Sequence, residues 1–282
     1  ADTRSKHGAK WEHVVAESKK DARQKAAEAR AAQQAADKRR ERTIRIVGAL
    51  VVVIVVVGII GGAIFFSKNN SNTANNGGTP TPDAAAASPN GVNTTDYFVT
   101  ANASAPAGVP TVKIFEDFQC PFCKKLEETA GAALIEQAKQ GKINLQWQPG
   151  IFMDANLKNT GSLTATNAWG CAIDAGKTSD FHQGVFREQA AEETVGAPGF
   201  TQQQMLDLGK TVGISGDAYS TFESCVKSNK YNSWAANSNA QFDKAGVSST
   251  PTIYVNGKEL SSKNLNIYDP NVLLPAIQQA AK

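Results

Sequence analysis

Two cysteines with two residues between them, Cys120-Pro121-Phe122-Cys123, carry the chemistry most legible in this chain of 282 residues. Val109 to Phe118 reads as a strand and the residues after Cys123 read as a helix, so the motif ends one element and opens the next. With Cys120 as N-cap and Pro121 as first helical residue, the missing proline N–H costs nothing. The thiol then faces free amides at the positive end of the helix dipole. That setting favours thiolate and can bring a cysteine pKa from about 8.5 into the range of about 3.5 to 7.5. Cys120 becomes a nucleophile and a good leaving group, while Cys123, one turn on and deeper, can attack a mixed disulfide and release its partner.

Other uses of the pair stay open at this point. A zinc site needs four ligands, and Cys171, Cys225 and His182 are what the C-terminal part adds, without a second C-x-x-C or an H-x-x-x-H; no metal is expected. A cysteine protease needs a histidine base, yet His7 and His13 precede a long apolar span, which leaves His182. An inert disulfide and two buried free thiols are the remaining alternatives.

The elements that must position the motif follow from periodicity. In KKLEETAGAALIEQAKQGK the apolar residues Leu126, Ala130, Ala133, Leu134 and Ala138 recur at three and four, and Gly141 stops the helix. Ile143 to Trp147 alternates as a strand, which completes a βαβ unit with parallel strands. Residues 155 to about 245 predict an all-helical insertion, with helices over Thr164–Ala175, Asp180–Ala191, a stretch from Thr201 with the capping-box spacing to Gln204, Tyr219–Val226 and Tyr231–Ala245. Thr252–Val255 is a strand, Asn256-Gly257 a hairpin turn, Lys258–Leu260 the return strand, and Val272–Lys282 a closing helix. Trp169, Phe181, Phe186, Phe222 and Trp234 read as core, Phe152 and Met153 as ordinary packing or the border of an apolar groove, and His182 as a surface or capping residue.

The N-terminal part is of another kind. Residues 1–45 carry 13 Lys+Arg against 7 Asp+Glu, so the basic balance of the chain lies in this tail and gives no case for nucleic-acid binding by the rest. Ile46 to Phe66 is a 21-residue run without a charged or polar side chain, long enough at about 1.5 Å per residue to span the ~30 Å core of a bilayer as a single transmembrane helix. Arg39, Arg40, Arg42 and Arg45 precede it and Lys68 follows, which predicts a cytoplasmic tail, possible contact of that tail with anionic lipid, and an exported C-terminal part. Residues 67–95, rich in Asn, Gly, Thr, Pro and Ala, read as a flexible spacer, with one domain over 96–282. In an exported domain thiols tend to pair, so Cys171 and Cys225 are expected to bond to each other, two buried free thiols being the alternative.

With these residues in view, the order of elements resembles a thioredoxin-fold protein of the DsbA type, over about residues 96–282. The segment FEDFQCPFC is similar to membrane-anchored, DsbA-like oxidoreductases of bacteria, especially actinobacteria. The resemblance implies Cys120 as nucleophile, Cys123 as resolving thiol, and a substrate-holding loop at Thr250-Pro251 with a cis proline facing the pair. It implies no cofactor, newly exported cysteine-containing proteins as substrates, and a membrane oxidase of the DsbB or VKOR kind as reoxidising partner. A reductase or isomerase using the same residues, or a non-catalytic chaperone-like binder, is the alternative. Two departures matter: Ile114 stands where many relatives carry a buried carboxylate, with Glu116 and Asp117 nearer the site, and Phe122 replaces the histidine of the strongly oxidising pattern. Neither the proton-relaying group nor the redox potential is therefore carried over.

Overall fold

The computed structural model describes residues 80–101, 105–262 and 265–282. The apolar run 46–66 and the basic tail lie outside these residues. Among the described residues no helix is long and apolar enough to cross a membrane.

A five-stranded mixed sheet organises the domain, in the order β1 (Val99–Thr100), β3 (Asn144–Gly150), β2 (Thr111–Asp117), β4 (Thr252–Val255), β5 (Lys258–Glu259). β2 runs parallel to β3, with Ile114 opposite Trp147, and antiparallel to β4, with Ile114 opposite Ile253. A parallel pair needs a crossover, and the helical segment after Cys120 supplies it. β4 and β5 are joined at Asn256 and Gly257, both at positive φ, as a tight two-residue hairpin turn requires.

The crossover is not one uniform helix, as the periodicity predicts. α1 (Pro121–Leu126) passes into a π-helical turn at Glu127–Gly131 and then into α2 (Ala132–Lys139). A methyl group on Gly131 would fall 2.3 Å from Glu127 Cδ, so glycine at that position lets the Glu127 side chain fold back along the helix. Apolar spacing carries no trace of this, because one inserted π turn changes the face of a residue without changing its type.

Between β3 and β4 come α3 (Met153–Leu157), α4 (Gly161–Asp174), α5 (Thr178–Glu188), α6 (Gln202–Thr211), α7 (Gly216–Lys227) and α8 (Asn232–Ala245); α9 (Pro270–Ala280) closes the chain. α4 is buried along nearly its whole length and packs against α5, α6, α7 and α8, which is why its sequence lacks a polar face. α6 carries the expected capping box, Thr201 and Gln204 each accepting from the other's backbone amide. The two faces of β2 meet different layers: Phe115 stacks edge-on against Phe242 of α8, while Glu116 points the other way, to α5. Trp147, Trp169, Phe118, Phe181, Phe186, Phe222 and Trp234 fill the core. Truncating any one to alanine would cost roughly 3 to 5 kcal/mol. Cys171 of α4 and Cys225 of α7 are joined by a disulfide, their Cα atoms 5.8 Å apart.

Two expectations need correction. Residues 80–95, taken with the spacer, are held on the domain: Asp83 and Asn237 exchange two hydrogen bonds, the Asn90 amide donates to Asp174, and Pro89 and Val92 are buried. Few apolar residues suffice here, because backbone groups rather than side chains make the attachment. His182 is not at the surface; it projects from α5 toward the sheet, fully buried, with its Nε2 hydrogen-bonded to Glu116 of β2.

Candidate active site

Cys120 is the N-cap of α1 in extended conformation, with Pro121 behind it as the first helical residue. Its thiol donates to the Thr250 carbonyl oxygen at 3.5 Å, and the Thr250-Pro251 peptide is cis. The loop before β4 therefore lies over the motif. As a result Cys120 is only 5% exposed against 2% for Cys123, so exposure does not separate the two thiols. Their ionisation does.

The Cys120 thiol is lowered from 9.0 to about 7, first by a hydrogen bond from Cys123, then, against the opposing effect of burial, by the Thr250 side chain and the amides of Cys123 and Phe122. Cys123 is pushed well above 9.0, first by burial, then by its bond to Cys120 and by the negative charges of Cys120 and Glu116. One sulfur is thus held as thiolate at the expense of the other. Phe122, 59% exposed, stands beside the pair as a bare apolar surface.

Polar support lies directly beneath. Asp117 accepts from the Gln119 amide at 2.9 Å, the Ser162 hydroxyl at 2.5 Å and the Met153 amide at 3.1 Å. Asp154 accepts from Gln119 Nε2 and the Ser162 amide, each at 2.7 Å, and from the Leu163 amide at 3.0 Å. These bonds tie the end of β2 to the start of α4 and fix the backbone that leads into Cys120. Burial raises Asp117 to about 8 and Asp154 to about 6 against them. A cleft of about 160 Å³ opens beside Gln119, bordered by Glu188, Gln189, Glu192 and Glu193.

Three residues of the site are not visible as such in the sequence. His182 stands 66 positions from its partner Glu116. Glu127 is turned inward by the π turn. Tyr268, raised first by burial and then by the charges of Cys123 and Cys120, sits near both sulfurs, with Lys125 Nζ 4.4 Å from its ring centre. Nothing in their spacing marks them, since each arrives from a separate element. Cys171 and Cys225 stay apart from the site as a disulfide within the helical insertion. Among the described residues, no group of His, Cys, Asp and Glu is arranged to hold a metal ion.

A C-x-x-C pair at the mouth of the crossover helix, faced by a cis-proline loop on the neighbouring strand, defines the thioredoxin-fold class with a helical insertion. The family model described as Thioredoxin matches residues 102–268, and the chain belongs to that family. No curated protein matches it. Among solved structures it is similar to the MdbA protein, a thiol-disulfide oxidoreductase of Actinomyces oris, at 20% identity and a TM-score of 0.57, covering 71% of this chain and 96% of that one. The MdbA protein of Corynebacterium diphtheriae matches at 21% and 0.53, covering 67% and 92%. BdbD of Bacillus subtilis matches at 22% and 0.52, covering 71% and 98%. These likenesses show the fold.

Proposed function

We propose that this protein is a membrane-anchored, extracytoplasmic thiol-disulfide oxidoreductase that introduces disulfides into newly exported proteins. The observation that carries this reading is the asymmetry of the two sulfurs, with Cys120 at about 7 and Cys123 far above it. In the oxidised pair a substrate thiolate attacks Cys120 Sγ, the Cys120–Cys123 bond breaks, and its electron pair goes to Cys123. A second substrate thiolate then attacks the substrate sulfur of the mixed disulfide, and Cys120 leaves as thiolate. The substrate dithiol is oxidised by two electrons and the cysteine pair reduced by two. A stable leaving thiolate at Cys120 favours this direction. A membrane oxidase of the DsbB or VKOR kind returns the pair to the disulfide.

Thr250 and Pro251 border the sulfur that the substrate reaches, and exposed Phe122 offers an apolar contact to an unfolded chain. The similar MdbA proteins are thiol-disulfide oxidoreductases, which supports the activity, and the Cys171–Cys225 bond suits an oxidising compartment. The apolar run Ile46–Phe66, with Arg39, Arg40, Arg42 and Arg45 before it, supports an anchor with residues 1–45 in the cytoplasm.

The test is the equilibrium of the Cys120–Cys123 pair against glutathione. An oxidase should oxidise reduced glutathione and settle as the dithiol in balanced buffer. A pair that stays oxidised at every glutathione ratio would make the protein a reductase or give it an inert disulfide. Labelling of Cys120 by an impermeant thiol reagent in intact, reduced cells tests the topology, and protection from it would count against export.

A further inference from the structure

Three ionisable side chains that the thiol exchange above leaves unused are enclosed together beneath α1. His182 Nε2 meets Glu116 Oε1 at 2.5 Å, and on the other side of the ring Nδ1 faces Glu127 Oε1 at 3.9 Å. His182 is 0% exposed, Glu116 4% and Glu127 9%. Aromatic rings wall the imidazole in: Trp147 at 4.3 Å between ring centres, Trp169 at 5.1 Å, Phe186 at 5.2 Å and Phe118 at 5.6 Å. Neither His182 Nδ1 nor Glu127 Oε1 has a hydrogen-bond partner, although both are buried. Such groups are costly in a core, and an apolar side chain at either position would remove the cost. The fold goes further and builds the feature, since the π turn and the bare Cα of Gly131 are what allow the Glu127 carboxyl to lie here.

We propose, resting on the redox reading of Cys120 and Cys123, that Glu116, His182 and Glu127 form a proton path between Cys123 and solvent. When substrate attacks Cys120 and the disulfide breaks, the electron pair arrives on Cys123 Sγ, in a place where a thiolate is poorly tolerated. A proton passes to that sulfur from the Glu116–His182 pair. The pair is left one proton short and is refilled through Glu127, the member nearest the surface; the 3.9 Å step closes by rotation of its carboxyl. During reoxidation the proton of the Cys123 thiol leaves by the same route. Glu116 takes the part for which Ile114 offers no carboxylate, and its charge is felt at Cys123. Both His182 and Glu116 are raised: burial opposes the imidazolium but the two carboxylates outweigh it, and burial favours the neutral form of Glu116. The pair therefore has a proton to give.

The other groups around Cys123 are less suited. Cys120 is bonded to the substrate sulfur when Cys123 takes its proton and has none to give. Asp117 is engaged by three donors from the opposite side of the strand. Tyr268 lies under the Lys125 ammonium, and the Lys124 ammonium is bound to the Phe186 carbonyl at 2.6 Å and to Glu128 at 3.0 Å.

The experiment uses the full chain with a glutathione mixed disulfide preformed on Cys120, and follows release of glutathione by Cys123 from pH 5 to 9. This step requires Cys123 to lose its proton. Glu127→Gln and His182→Gln should each slow release about tenfold near neutral pH and leave a rate that climbs with hydroxide instead of levelling off. The alkylation midpoint of Cys120 in the reduced variants should remain at about 7. Wild-type profiles in both variants would overturn the proposal. If His182→Gln fails to fold, Glu127→Gln decides alone, because its Oε1 has no bond to lose. Failure of the wild-type protein to release glutathione at all would instead overturn the redox reading on which the path rests.

Discussion

The thiol of Cys120 and the carbonyl oxygen of Thr250 meet at 3.5 Å across 130 positions of sequence. This one contact brings the loop before β4 onto the start of α1. It places the Thr250 side chain where it can hold negative charge on the sulfur and leaves the loop covering the motif.

Removing that support should be readable at the sulfur. In Thr250→Val the midpoint for alkylation of Cys120 by iodoacetamide should rise above about 7, and in Cys123→Ala it should rise further, since the bond from Cys123 is the largest of the lowering effects. An unchanged midpoint in both variants would remove the hydrogen-bonding account of the thiolate.

The same shift links redox state to stability. The folded-state pKa of Cys120 is depressed from 9.0 to about 7, so the stability it contributes to the reduced protein is fully present above the unfolded value and lost as pH falls through about 7. The oxidised protein has no such titration, and Cys123 ionises above this window. Denaturant unfolding of the reduced form should therefore gain, relative to the oxidised form, about 2 kcal/mol between pH 6 and 9. A difference that is flat over this range would contradict the sign.

Cys171 and Cys225 close a loop spanning 54 positions. Replacing both by serine should lower the unfolding free energy by up to about 4 kcal/mol, the chain-entropy figure for a loop of that length. Denaturant midpoints with and without the bond measure it, and a non-reducing peptide map that links Cys171 to Cys120 instead would reject the pairing.

Asp154→Ala should loosen the support under the motif. It deprives Gln119 Nε2 and the Ser162 and Leu163 amides of an acceptor, three bonds at or below 3.0 Å. The expected loss is about 3 kcal/mol, with Asp154→Asn closer to wild type because one oxygen remains. Thermal unfolding distinguishes the two, and equal stability of all three proteins would show that the network is idle.

Much of the frame was legible because its signals are local. Cys120-Pro121 fixes an N-cap, Asn256-Gly257 a hairpin, and Thr201 with Gln204 a capping box, each within four residues. β1 and α3 escaped because two and five residues are too short to show a period. The anchoring of residues 83–92 escaped because it rests on backbone groups meeting Asn237 and Asp174 from distant helices. The role of His182 is hidden for a related reason. A histidine on a helix takes its role from what faces it, and Glu116 comes from the sheet while Glu127 comes from a helical irregularity that apolar spacing does not encode.

The central claim is that Cys120 attacks and Cys123 resolves, and mass spectrometry after exposure to oxidised glutathione tests it directly. Reduced Cys123→Ala should accumulate a glutathione adduct on Cys120, Cys120→Ala should carry none on Cys123, and the wild-type protein should pass through the adduct to its own disulfide. Equal adducts on both single variants, or an adduct that persists in the wild-type protein, would contradict the account.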